Sequence, residues 1–332
     1  MDPSNYQCIR LWAGITAIGA NLALIWGLAI SAAWWADRFS GAAVTLTVLL
    51  GVAALITLAN LPFDLLSGDA VERGAGRIEG STSSWFKDWI KGRVVTLTGL
   101  WLGMVFFSLF RQAPQLSIPV SLIAGGLLTF ILLFLVPAGH AALPESSGEE
   151  FEKKLGLELK SLGVKLRPIR WFDHGDAESV NGCITPRGFL SLSTTVAQCL
   201  TPREAALLVT REEYYRRSGA WIMILMIVTG WTLLGIILAL LVPSANPVQA
   251  GLCGAAMMST WCFLALFVWP TINRIWMSKA DAFLASLAPS EEVRELFSKI
   301  ARLNATDISL APAKTAVFHP IPPLQDRLDR LS

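Results

Sequence analysis

Residues 218–273 read SGAWIMILMIVTGWTLLGIILALLVPSANPVQAGLCGAAMMSTWCFLALFVWPTIN, a run of 56 without a single Asp, Glu, Lys or Arg. About 20 apolar residues are enough for a helix to cross the hydrocarbon core of a bilayer, so this run is too long for one span. Pro243, Ser244, Ala245, Asn246 and Pro247 lie inside it. Proline has no N–H to continue a helix and small polar residues favour turns, so the run divides into a tight hairpin of two spans.

Outward from the hairpin, four more uncharged runs cover residues 11–36, 41–63, 94–110 and 117–139. The sequence therefore predicts about six spans, of which 94–110 is the shortest. The first run exceeds the roughly 7 to 15 apolar residues of a cleavable signal core and reads as a retained span. The chain has 332 residues, 53% hydrophobic and only 16% charged, far from the composition of a disordered protein. Its 27 basic and 25 acidic residues nearly cancel, which excludes nucleic acid as a partner and leaves membrane lipid as the first one. Five cysteines with no CxxC pair indicate neither a disulfide framework nor a structural zinc site.

With six spans both termini share one side of the membrane. That side holds 25 of the 27 basic residues, with Arg38 and Arg111 opposite, so the positive-inside rule places both termini in the cytosol. Trp34, Trp35, Trp221, Trp269 and Trp276 sit near span ends, as interfacial aromatics do. Four parts follow: a four-span membrane domain over 1–140 with a cytosolic loop at 64–93, a cytosolic piece at 141–217, the hairpin at 218–273, and a second cytosolic piece at 274–332. Neither cytosolic piece is long enough for a sizeable core, and the simplest architecture joins them.

Residues 149–162 alternate charged and apolar positions at helical spacing, whereas 163–171 and 189–195 alternate as strands do. Thr201, Pro202 and Glu204 supply an N-cap, a first-turn proline and a reciprocal carboxylate, so a helix starts there and runs to Arg217. Asn21 and Asn60, in or near spans, are expected to hydrogen-bond a neighbouring helix.

The segment LSTTVAQCLTPREAALLVTREEYYRRSG (192–219) resembles the active-site region of the CAAX prenyl protease type I family of integral-membrane zinc metallopeptidases. Leu61, Pro62 and Phe63, followed by Glu72, Lys87, Asp88, Lys91 and Gly92, are similar to that family's amino-terminal domain. Asn181 to Thr185 resembles its NAxxT segment, and Ala280, Asp281, Ala282 and Phe283 its ADxF motif. His319, Pro320, Pro322, Pro323, Leu324 and Arg327 resemble its terminal HPPLxxR signature. The resemblance implies a mainly α, polytopic helical membrane protein with a zincin-like α+β cytosolic domain split around the last helical hairpin.

The departures fall on the metal site. In the family motif HExxH two histidines bind zinc and the glutamate activates water; here the aligned residues are Arg211, Glu212, Glu213, Tyr214 and Tyr215. The family's third ligand, a glutamate four residues before the ADxF aspartate, corresponds to Met277. Glu212 keeps the general-base position. His319 precedes Arg327 by eight residues, where the family's transition-state histidine precedes its arginine by six. Glu212, His319, Arg327 and the supporting Asp281 are thus the candidate site residues. No cofactor is expected, because a guanidinium at 211 places a fixed positive charge where the metal belongs. The expected role is that of an inactive pseudopeptidase that binds a peptide or lipidated chain or regulates a partner. The alternative is an active metalloendopeptidase whose zinc is held by His174, His319 and Glu212; the remaining histidine, His140, reads as an interfacial polar residue. On the charge pattern alone, Glu212 and Glu213 read as a solvated face beside Arg216 and Arg217. Arg211 has two candidate partners, Glu212 and, across the helix pair, Asp281.

Overall fold

A computed structural model describes residues 3–39, 41–74, 76, 81–112, 119, 145–172, 179–184, 188–304 and 322–330. Among these, five helical runs are long and apolar enough to cross a membrane: Cys8–Arg38, Ala42–Gly74, Thr82–Phe110, Ile222–Leu241 and Pro247–Ala285. The chain is a polytopic, mainly helical membrane protein. The run at 117–139 and His140 lie outside the described residues.

Helix α1 spans Pro3–Trp35 and α2 Ala42–Ala59. The chain continues from α2 through a short helix at Leu61–Leu65, a π turn at Leu66–Ala70 and a last turn at Val71–Gly74. Helix α3, Thr82–Gln112, absorbs the 94–110 run into 31 helical residues. That shortest apolar run is the inner part of a longer helix whose first turns carry Trp, Lys and Asp.

The chain divides into two compact units, Met1–Leu128 with Val228–Ala265, and Thr129–Ile227 with Leu266–Ser332. In the first, Ile25, Ala29, Leu49, Met104, Leu252 and Ala256 form a common apolar core. Gly254 is required there, since a Cβ on it would lie 2.2 Å from Cγ of Phe107. Asn21 and Asn60 exchange side-chain hydrogen bonds between α1 and the end of α2, as expected of span asparagines. Past the apolar stretch the pairing becomes ionic. The Tyr6 hydroxyl donates to Glu72 at 2.7 Å, Arg73 pairs with Asp69, and Asp64 accepts from Trp89 and Arg93.

In the second unit, helix α4 (Glu145–Ser161) precedes three short strands, β1 (Ile169–Phe172), β2 (Gly182–Ile184) and β3 (Leu190–Ser193). The sheet order is β1–β3–β2, with β1 parallel and β2 antiparallel to β3. Only the end of the 163–171 stretch pairs, because Pro168 has no N–H to donate; its carbonyl accepts from Leu190 N at 3.0 Å. Thr194 and Thr195, which alternate as strand residues in the sequence, already belong to helix α5 (Thr194–Cys199).

Helix α6 (Pro202–Arg217) begins at the expected capping box, with Thr201 Oγ1 accepting from Glu204 N and Glu204 reaching back to Thr201 N at 2.7 Å. Its Ala205–Val209 stretch is buried in one core with Leu155, Leu159, Leu190, Leu192, Leu284 and Leu296. A helix surrounded on this scale is held by packing rather than propensity. Gly219, at φ +68°, adopts the left-handed conformation that turns the chain from α6 into α7 (Ala220–Leu241). Helix α8 (Pro247–Ala285) follows the proline-bounded turn and runs 39 residues, with Pro270 inside it. Helix α9 is Ser290–Leu303 and α10 Leu324–Asp329.

Candidate functional site

Four elements of the second unit meet around Asp281. Helix α6 contributes Arg211, whose Nε–H donates to Asp281 Oδ1 at 2.7 Å. Helix α10 contributes Arg327, which donates through Nε to Oδ2 at 2.7 Å and through Nη2 to Oδ1 at 3.1 Å. Arg211 Nη1 also reaches Glu212 Oε1 at 3.3 Å, the next residue on its own helix. From α9, the Phe297 ring lies under both cations, 3.7 Å from the Arg327 guanidinium carbon and 5.9 Å from that of Arg211. A stacked aromatic face suits guanidinium, which is more weakly hydrated than ammonium and costs less to bury.

Arg211 is only 7% exposed and Asp281 5%. In such surroundings each charge needs its partner, because an isolated one would forfeit its hydration without return. Burial works against the Arg211 charge, but the Asp281 and Glu212 carboxylates outweigh it and hold its pKa above the usual arginine value. Burial lowers the Arg327 pKa, and the like charge of Arg211 adds to that against the pull of Asp281. Glu212 is raised: burial dominates, Arg211 opposes it, and the nearby Asp281 adds repulsion. Nη2 of Arg211 is buried without a hydrogen-bond partner among the described residues.

Tyr215 and Met277, aligned with the other two ligand positions, lie in one apolar cluster beside these charges. It also holds Tyr214, Ala220, Trp276 and Ala280, and burial pushes the Tyr215 hydroxyl up to about 12. The structure therefore brings Arg211, Glu212, Tyr215, Met277, Asp281 and Arg327 to one place. His140, His174 and His319 lie outside the described residues, as do Thr185 and Pro320. Among the described residues no group of three His, Cys, Asp or Glu side chains is placed to hold a metal.

Glu213 corrects the solvated-face expectation. It is 2% exposed and its carboxylate accepts from Arg167, Arg216 and Arg217. Burial alone would raise its pKa, but hydrogen bonds from Arg216 and Arg167 hold it at about 2. Arg167 arrives from 46 residues earlier, and no local pattern announces that partner. Phe297 was likewise invisible as a site residue, since its helical spacing marks it only as core.

No family model matches the chain, and no curated protein matches it. Among solved structures it is similar to the crystal structure of S. mikatae Ste24p, with a TM-score of 0.68 and 16% sequence identity over 93% of this chain and 79% of that one. At that identity the likeness establishes the fold, and the chain is an integral membrane protein with a Ste24p-like fold.

Proposed function

We propose that this chain is a catalytically silent membrane pseudopeptidase on a Ste24p-like scaffold, which binds a peptide or lipidated chain or regulates a partner. The observation that carries this is the 2.7 Å bond between Arg211 and Asp281 at the first position where the sequence resemblance calls for a zinc ligand. The residues at all three positions do not fit zinc. Guanidinium has no lone pair to offer and stays charged; a phenol with a pKa of about 12 is a neutral, poor donor; a thioether is soft and weak beside imidazole or thiolate.

Glu212, at the general-base position, lies beside the Arg211 guanidinium. Burial raises its pKa, and its carboxylate accepts from Arg211 Nη1 at 3.3 Å. What the cluster does supply is a joint: one carboxylate on α8 ties α6 to α10 through two arginines. In this reading the joint preserves the scaffold on which a peptide or lipidated chain is bound.

Metal analysis of the purified, detergent-solubilised protein tests the proposal. The expected result is zinc far below one per chain. Close to one zinc per chain that survives dialysis against a mild chelator would overturn it in favour of an active metalloendopeptidase with a non-standard site. His174→Ala and His319→Ala would then locate the metal.

A further inference from the structure

A second ionic cluster lies on the last turns of α6, next to the Arg211 cluster and just before α7. Glu213 Oε1 accepts from Arg216 Nε at 2.9 Å and Nη2 at 2.5 Å, and from Arg217 Nε and Arg167 Nη2 at 3.3 Å each; Arg167 Nε bonds Oε2 at 3.1 Å. Arg217 Nη2 is further fixed on the Gly163 carbonyl at 3.2 Å, and Arg167 Nη1 on that of Gly188 at 3.4 Å. Among the described residues three cations share this one buried anion, an excess of two positive charges. The side chains of Arg216 and Arg217 are each 45% exposed, whereas that of Glu213 is 3% exposed. Nη1 of each of these two arginines donates to no acceptor among the described residues. Arg217 is followed after two residues by α7, whose membrane run begins at Ile222.

Basic residues next to a span need no partner to serve as anchors. The arrangement here goes further. Free arginine side chains repel one another and sample many rotamers, whereas these are fixed by a shared carboxylate that is itself withdrawn from water. Their unused N–H groups are preorganised, and the two-charge excess among the described residues sits just before the candidate span that begins at Ile222. Fixed guanidinium forks match the tetrahedral oxygens of a phosphate better than point-charge ammonium groups do.

We propose that Arg167, Arg216 and Arg217, held by the buried Glu213, form a cradle for the phosphate of an anionic lipid headgroup at the membrane end of α6. Phosphatidic acid, with its exposed phosphomonoester, is the probe whose oxygens can take hydrogen bonds from two adjacent guanidinium groups. The cradle is independent of the Arg211–Asp281 joint and of whether the protein binds zinc.

The test uses the full chain in nanodiscs of phosphatidylcholine with and without phosphatidic acid, followed by stepwise delipidation and mass-spectrometric counting of retained lipid. Wild type should retain phosphatidic acid over phosphatidylcholine. Arg216→Gln and Arg217→Gln should each lower that preference about fivefold, the loss expected for one cation at a membrane surface. Arg216→Lys with Arg217→Lys keeps the charge, removes the forks, and should also lower it. Each variant is compared with itself across the two lipid compositions, so a loss of basal stability does not mask the result. If one glutamine variant does not fold, the other and the lysine pair still decide. Unchanged retention in the glutamine or lysine variants would overturn the cradle. So would an equal stabilisation by inorganic phosphate in phosphatidylcholine discs, which would mark a free-anion site, or competition by an acidic peptide without lipid preference.

Discussion

Arg211 and Asp281, 70 residues apart in sequence, are joined by an Nε–Oδ1 hydrogen bond of 2.7 Å between α6 and α8. Asp281 also takes two bonds from Arg327, so a single carboxylate on α8 anchors two other helices. Each arginine is oriented by an acceptor that a second arginine holds in place.

Loss of either partner should therefore be costly. Asp281→Asn, which takes the shared carboxylate from two buried arginines, is expected to lower stability by about 3 to 5 kcal/mol, and Arg211→Ala, which leaves Asp281 paired with Arg327, by less. The double variant should lose less than the sum, with a coupling of about 1 to 3 kcal/mol. Thermal or denaturant unfolding of detergent-solubilised protein measures the cycle. Near-wild-type stability in all three variants would show that the pair carries no weight.

The neighbouring carboxylates should respond to pH in opposite senses. The folded-state pKa of Glu213 is about 2 against the usual 4.5, so the unfolded chain binds its proton first on acidification. Its stabilisation is full above pH 4.5 and is lost as pH falls toward 2. Glu212 is raised above 4.5, so the folded state binds the extra proton and stability declines as pH rises through that window. Glu213→Gln should flatten the acid limb, and Glu212→Gln should remove the decline above it. Apparent melting temperatures from about pH 3 to 8 would separate the two; the same slope change in both variants would contradict the assignment.

Restoring a ligand set offers a constructive check. Arg211→His, Tyr215→His and Met277→Glu in one chain should raise zinc uptake well above wild type if the backbone positions of the three residues still converge. Since Arg211 leaves Asp281 with only Arg327, the metal must also compensate for the lost joint, and added zinc should raise the melting temperature. Absence of any zinc response would mean that the three positions no longer converge.

Orientation can be tested by tags. A carboxy-terminal tag and one in the 64–93 loop near Gly80 should be accessible from the cytosol, and one between Pro243 and Pro247 from the opposite side. Opposite accessibility of the first two would remove one span between them, and residues 94–110 would be the first to reconsider.

What the sequence revealed of the fold depended on distance along the chain. The capping box of Thr201 and Glu204 spans three residues and was readable in full, as was the turn bounded by Pro243 and Pro247, because both depend on local stereochemistry. The 163–171 stretch was misleading, because alternation reports a two-sided environment and not which residues find a hydrogen-bonding strand. Asp281 and Arg327 stood out only through resemblance, and their 46-residue separation concealed the bond between them. Glu213 was the clearest miss. Three arginines, one of them remote, turned an apparent solvated position into a buried one, and a charge pattern cannot show that.

Pro270 gives α8 a mechanical character that its unbroken length conceals. Lacking an N–H, it leaves the carbonyl of Leu266 without its ladder partner, and Leu266 is the first residue of this helix that belongs to the second compact unit. Asp281 stiffens the helix beyond that point by fastening it to α6 and α10, while Leu252 and Ala256 fasten it before that point to the first unit's core. A rod clamped at both ends bends where it is most compliant, and here compliance is confined to about one turn. Bending of α8 is thereby concentrated near Pro270, about three turns before the Asp281 anchor.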